Sequence, residues 1–369
     1  MRHSRDLIAA LGGSAEIGFV RAPGRVNLVG DHTDYNEGFV LPLAIDRECV
    51  AAWRRRDDGQ ASARSLDLDA TVTFAIDGSV DPDTVEPTWA RLVIGIVGAL
   101  AERGRPPVGF DAALTSTVPL GAGLSSSAAF EVAIAMAATS AADGFDLDRR
   151  ELASACRDAE ELATGVPCGL MDQLASLFGR RDHALLIDCR TLSIEPVPLP
   201  AGVAVLVVHS GVARELAASA YADRRAACEA AAARLGVPAL RDARPDAVTG
   251  DPRARHVVSE NQRVLDAVAA LRAGDLDALG AILLESHVSL RDDFEVSTPE
   301  LDLLVDLLME AGAVGARLTG AGFGGCVVGL VRSDRLDRAA EQTTARYREA
   351  TGREPTAFAV RAVDGAGSA

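Results

Sequence analysis

The chain predicts an α+β fold in two domains, on three observations. Its 369 residues are enough for two substantial cores. Strand-like alternation dominates the early part, whereas long Ala-, Leu- and Arg-rich helical patterns fill the middle of the second half. The Pro- and Gly-containing stretch from Pro196 to Gly202 separates the two regimes. The expected domains are therefore 1–200 and 201–369.

The elements follow in order. A short helix is expected over 4–11, then strands at 17–29, 39–55, 61–66 and 71–76. The cluster Arg54-Arg55-Arg56, followed by Asp57-Asp58, reads as a solvated strand end. A helix over 88–103 precedes a strand whose apolar residues alternate (Phe110, Ala112, Leu114). The run from Ala128 to Ala138 is small and apolar, which predicts a buried helix. Helices at 149–164 and 170–178 are separated by Gly165 and Gly169, and strands follow near 183–199. Val203 to Val208 reads as a buried strand. Helices are expected at 214–235, 254–272, 275–289 and 299–311. A strand–glycine loop–strand unit covers 314–331, and a helix over 335–349 and a strand over 356–362 close the chain.

Composition narrows the function. Hydrophobic residues make up 48% of the chain and the net charge is −16, with no basic stripe, so nucleic acid is not an expected partner. No stretch has the length of a membrane span. The six scattered cysteines form no C-x-x-C pair and read as reduced thiols of a cytoplasmic protein. There is no lysine, which excludes Walker A and Schiff-base chemistry. Any cation acting on phosphate must then be arginine or a metal ion.

The most informative stretch is Gly121-Ala-Gly-Leu-Ser-Ser-Ser-Ala-Ala129. Gly121 and Gly123 allow tight turns. The serines stand where a helix needs an N-cap, and the helix start gathers free N–H groups and a positive dipole end. That combination suits phosphate as well as it suits an ordinary capping loop.

Three further segments are polar against an apolar background. In 22–38, Arg25, Asp31, His32 and Asp34 crowd one loop, a set that fits the hydroxyls of a polyol or the local bonds of a turn. In 160–174, Asp172 and Gln173 open an otherwise apolar helix, either stabilising its N-terminus or facing a substrate hydroxyl. In 318–328, Gly320, Gly322 and Gly325 match G-x-G-x-x-G, but an apolar β-like run follows instead of a helix, so a dinucleotide site is excluded. A turn whose backbone approaches a ligand or the phosphate loop is the better reading.

Together these segments resemble the GHMP small-molecule kinases, and within them the galactokinase family. The first is similar to P-G-R-V-N-L-I-G-E-H-T-D-Y-N, the second glycine run to P-x-G-x-G-L-S-S-S-A, and the third to T-G-x-G-F-G-G-C. Pro167 to Gln173, His209 to Arg225 and Ser286 to Leu301 also look like family segments, so the likeness runs in order along nearly the whole chain. The resemblance implies a two-domain GHMP kinase-like fold with its active site in the interdomain cleft. It implies a cytoplasmic enzyme that transfers the γ-phosphoryl of ATP, with Mg²⁺, to the C1 hydroxyl of D-galactose. Asp172 would be the catalytic carboxylate, and Arg25 would stand between that hydroxyl and the phosphoryl group, offsetting charge there. His32, Asp34, Gly169 and Tyr221 would hold the sugar. Gly121, Gly123, Leu124, Ser125 and Ser126 would cradle the triphosphate, Ser127 and Glu160 would take Mg²⁺, and Trp89 would lie near the adenine. The family usually has Glu where this chain has Asp31, which by resemblance touches an outer sugar hydroxyl with one methylene less reach. That departure leaves open a kinase for another monosaccharide. A second alternative is a sensor that binds sugar and ATP without turnover.

Overall fold

The computed structural model describes residues 2–12, 16–212 and 217–369. From the amino end, α1 (Arg2–Leu11) leads to β1 (Gly18–Asn27), β2 (Phe39–Val40), β3 (Pro42–Arg56), β4 (Gln60–Ser65) and β5 (Ala70–Ala75). Next come α2 (Thr88–Glu102), β6 (Gly109–Ser116), α3 (Ser126–Ala141), α4 (Arg149–Thr164), α5 (Met171–Phe178), β7 (His183–Asp188), β8 (Ser193–Pro198) and β9 (Val203–His209). The chain finishes with α6 (Ala217–Leu235), α7 (Pro252–Ala273), α8 (Leu276–Asp292), α9 (Pro299–Glu310), β10 (Gly315–Thr319), β11 (Cys326–Arg332), α10 (Leu336–Thr351), β12 (Thr356–Val360) and β13 (Gly367–Ser368). The expected first turn of the 214–235 helix lies outside the described residues. The strand expected over 39–55 is broken after Val40, where β2 leaves to pair with β7.

β1, β3, β4, β5, β6 and β13 form a six-stranded sheet in the order β13-β1-β3-β6-β4-β5. Alternation along its strands sends Cys49, Ala51, Ala112 and Leu114 into the main core, and Ala52 and Ala113 against Leu7 and Leu11 of α1. Covered on both faces, β6 is buried over seven of its eight residues, so even Asp111 and Thr115 of its polar positions are enclosed. The Arg54–Arg56 cluster is not simply solvated: Arg54 Nε and Arg56 Nη1 donate to the two oxygens of Asp111 at 2.8 and 2.7 Å.

A four-stranded antiparallel sheet follows in the order β10-β11-β9-β12. Its two faces serve different cores. Leu206, Val208, Val327 and Leu318 meet Leu301, Leu304 and Leu308 of α9, while Val205, Val207 and Val328 join the main core with Leu279 and Leu283 of α8. The two sheets are thus bonded through one continuous apolar interior, with the polar loops at its margin. β2, β7 and β8 make a separate three-stranded sheet. Among the described residues, no helix is long and apolar enough to cross a membrane, and no cysteine is in a disulfide.

Candidate active site

Arg25 follows a bulge in β1, where the register with β3 shifts between Pro23 and Arg25. A Cβ on Gly24 would stand 2.6 Å from the Leu124 carbonyl, so glycine is what lets this strand touch the phosphate-type loop. The Arg25 N–H then donates to that carbonyl at 3.1 Å, and its Nη1 donates to the Gly123 carbonyl at 2.7 Å. Arg25 Nε and Nη2 donate to Asp172 Oδ1 and Oδ2, both at 2.8 Å. This two-pronged guanidinium–carboxylate pair is the geometry for which arginine is suited. Asp172 sits in the first turn of α5, as expected, but Arg25 and not the helix end is its principal partner.

The serines do not cap as the sequence suggested. Ser125 holds the cap position of α3 in the left-handed region (φ 58°), and its hydroxyl makes no cap bond. It donates instead to Asp172 Oδ2. With Gly121 (φ 69°) and Gly123 (φ 79°), every second residue of the loop is left-handed, the kind of alternation from which backbone anion nests are built. The glycine turn between β10 and β11 comes up against this loop: a Cβ on Gly320 would lie 3.0 Å from the Gly123 carbonyl.

The polyol-type loop closes the other side. Asp34 is half-buried against Gly169, where a Cβ would fall 1.8 Å from Asp34 Oδ2, so any larger residue there would displace the Asp34 carboxyl. Burial, then the charge of Asp172, pushes the Asp34 carboxyl up to about 7. Burial pushes His32 down to about 3, so its ring is neutral. Its Nε2 lies 3.2 Å from the Ala321 carbonyl, which can only accept, so Nε2 carries the proton and Nδ1 accepts from the Tyr35 hydroxyl at 2.9 Å. Tyr221 packs beside this ring, 5.6 Å between centroids.

Asp31 is engaged in a way its sequence did not reveal. Its Oδ1 accepts from Asn27 Nδ2 at 3.0 Å and its Oδ2 from Arg317 Nη2 at 2.5 Å. Arg317 is fully buried and also donates to the Leu28 carbonyl at 3.0 Å. Glu260 accepts from the Gly30 N–H at 2.9 Å, and His256 Nε2 is 3.1 Å from the Asp31 carbonyl. Burial alone would raise Glu260, yet Arg263, His256 and Arg317 hold it down at about 2.

Many of these groups face one cavity of about 420 Å³, behind which Arg317, Glu260 and His256 stand. Arg25, Asp172, Ser125 and Gly123 line one side, and Asp31, His32, Asp34, Gly169 and Tyr221 the other. Ser126, Ser127 and Glu160 lie on its wall and also line an adjoining, mostly apolar cavity of about 270 Å³ with Trp89, Leu92, Leu120 and Phe130. Leu124 is buried and contributes its carbonyl to Arg25. The Glu160 carboxyl is raised by burial and by the neighbouring charge of Asp172. One further group, Glu131, went unnoticed in the sequence: Gln173, singled out there beside Asp172, donates through Nε2 to Glu160 at 3.0 Å and to Glu131 at 2.9 Å. The available signal was Glu131 itself, one carboxyl in an otherwise Ala-rich apolar helix.

The galactokinase galactose-binding signature matches residues 9–55, and the N-terminal and C-terminal GHMP kinase domains match residues 91–180 and 267–349. A galactokinase of Roseiflexus sp. (strain RS-1) is 47% identical, covering 94% of this chain and 92% of that one. The structure of Lactococcus lactis galactokinase complexed with galactose superposes with a TM-score of 0.93 at 30% identity, covering 100% of this chain and 99% of that one. The mevalonate kinase of Methanococcus jannaschii shares the fold, with a TM-score of 0.69 at 18% identity over 95% of this chain and 100% of its own. By these matches, along its length and across its fold, the chain belongs to the galactokinase family of the GHMP kinases.

Proposed function

We propose that this chain transfers the γ-phosphoryl of ATP to the C1 hydroxyl of D-galactose, giving galactose 1-phosphate. The observation that carries the reading is the Arg25–Asp172 pair, set between the glycine-serine loop and the polyol-type loop of one cavity. The sugar occupies the side lined by Asp31, His32, Asp34, Gly169 and Tyr221, where acceptors, donors and an aromatic ring meet. The triphosphate lies along the N–H groups of Gly121 to Ser126, and the adenine occupies the adjoining cavity beside Trp89.

Asp172 orients the attacking hydroxyl and receives its proton. Because a carboxylate is a weak base for an alcohol, the proton moves late, as charge leaves the oxygen for phosphorus. Arg25 holds both Asp172 oxygens and projects beside the transferring group, where a fixed guanidinium stabilises developing phosphoryl charge without reorganising. Tyr35, His32 and Ala321 form a chain of hydrogen bonds that locks the ring against which the sugar rests.

Ser127 and Glu160 fit a divalent cation by their chemistry, a hydroxyl and a carboxylate that both line the junction of the two cavities. Among the described residues no three His, Cys, Asp or Glu side chains gather into a metal cage. Such a sparse set matches Mg²⁺, which keeps waters and substrate phosphates as its other ligands. When bound, Mg²⁺ offsets charge on the β- and γ-phosphates.

The test is initial-rate ADP release with Mg-ATP across D-galactose, D-glucose, D-mannose, L-arabinose, 2-deoxygalactose and N-acetylgalactosamine. Galactose should dominate, and Asp172→Asn should lower its kcat by about 10²–10⁴-fold. Dominance of another sugar would move the substrate. A near-wild-type rate for Asp172→Asn would remove the assigned base.

A further inference from the structure

Gln173 is fully buried, yet among the described residues its carbonyl oxygen has no partner, and neither has Glu131 Oε1 beside it. An unpaired buried amide oxygen costs stability that an apolar side chain of similar size would not. Something other than packing therefore accounts for this residue. What it does is visible in its other end. The amide nitrogen is the atom facing the two carboxyl groups, because a Glu160 ionised to hold a metal can only accept. One hydrogen goes to Glu131 Oε2 at 2.9 Å and the other to Glu160 Oε2 at 3.0 Å. Glu131, fully buried on α3, thereby anchors the amide from behind.

A second donor reaches the same atom. The Cys168 thiol donates to Glu160 Oε2 at 3.2 Å. A carboxylate oxygen offers about two lone-pair sites. Cys168 and Gln173 fill both on Oε2, and Oε1 is the oxygen left to a metal ion.

We propose that Cys168 and Gln173 are positioning residues that saturate Glu160 Oε2, so that Glu160 holds its divalent cation through Oε1 alone, and that this one-oxygen grip favours Mg²⁺ over Ca²⁺. The inference rests on the assignment of Glu160 and Ser127 to the metal. Its physical basis is the difference between the ions. Mg²⁺ demands octahedral geometry at about 2.0–2.1 Å and accepts single carboxylate oxygens with water. Ca²⁺ takes about 6–8 oxygens, often both oxygens of one carboxylate. A glutamate pinned by one oxygen withholds the two-oxygen grip that Ca²⁺ exploits. Partners that orient ligands in this way commonly matter about 10–100-fold for metal affinity.

The experiment is calorimetric titration of the full-length protein with the non-hydrolysable analogue AMP-PNP, once in excess Mg²⁺ and once in excess Ca²⁺. The reading is the ratio of the two dissociation constants, with thermal melting as the check on folding. Wild type should favour the Mg²⁺ form. Gln173→Met and Cys168→Ala should each bring the ratio toward unity by about tenfold, while Cys168→Ser, which keeps a donor, should stay near wild type. Because Cys168 is only half-buried, its two variants carry the test even if Gln173→Met does not fold. Glu160→Gln should weaken both titrations. An unchanged ratio in Gln173→Met and Cys168→Ala, with Glu160→Gln weakened, would overturn the proposal and leave the metal assignment standing. Wild-type titrations for Glu160→Gln would overturn both.

Discussion

Asp34 shows how one residue's surroundings set its chemistry. Pressed against Gly169 and close to Asp172, its carboxyl is pushed up to about 7, burial being the larger cause. Near neutral pH it is therefore poised between donor and acceptor, a useful state beside a sugar hydroxyl, which is both. The same shift has a stability consequence. The folded protein binds the Asp34 proton more tightly than the unfolded chain, whose aspartates titrate near 3.8. Stability is thus lost progressively as pH rises from about 4 through 7. Asp34→Asn, nearly the same size, removes that loss. Its melting temperature should exceed wild type by roughly a few degrees at pH 8 and by much less at pH 5, while its affinity for galactose falls. An equal difference at both pH values in a thermal melt would remove the ionisation argument. Nothing in the local sequence around Asp34 announces this, because Gly169 and Asp172 come from a segment more than a hundred residues away.

At the scale of elements, the polyol-type loop belongs by sequence to the first half but is bonded to the second. Thr319 takes the Asn27 N–H, Arg317 takes the Leu28 carbonyl and Asp31 side chain, and Glu260 takes the Gly30 N–H. Burial pushes the Asp31 carboxyl up, and Arg317 and Asn27 pull it back. The Glu-to-Asp departure thus has a partner in β10 that sequence patterning did not disclose. Periodicity recovered most strands and helices, because burial of one face imposes it. A pairing between residues 286 positions apart leaves no such trace. Arg317→Met strands a buried carboxylate and should cost about 3–5 kcal/mol by chemical denaturation. Asp31→Asn combined with it should recover part of that loss, the Leu28 carbonyl still lacking the Arg317 donor. A double variant no more stable than the single one would show that Asp31 is not the group Arg317 compensates.

For the molecule as a whole, the carboxyl-terminal residues tie the two halves to α5, the helix that carries Asp172. After β12 the chain leaves the four-stranded sheet and returns to the first, where Gly367 and Ser368 pair with Arg21 and Val20 of β1. Two residues cannot display a strand period, so β13 was illegible in sequence, and the expected second half, 201–369, ends in this return to the first sheet. On the way, the N–H groups of Val363, Gly365, Ala366 and Ala369 donate to the carbonyls of Ala44, Gly179, Ser176 and Phe19. Two of those acceptors, Ser176 and Gly179, are at the end of α5, whose first turn carries Asp172. Removing residues 363–369 forfeits four backbone bonds, about 4 kcal/mol at roughly 1 kcal/mol each. It also opens the β1 edge to solvent. The truncated protein should melt several degrees lower. If the tail positions α5 as well as stabilising it, kcat should fall more than the KM for galactose rises at temperatures where the protein is still folded. A lowered melting point with unchanged kcat below it would make the tail a clasp on the sheet with no bearing on where Asp172 points.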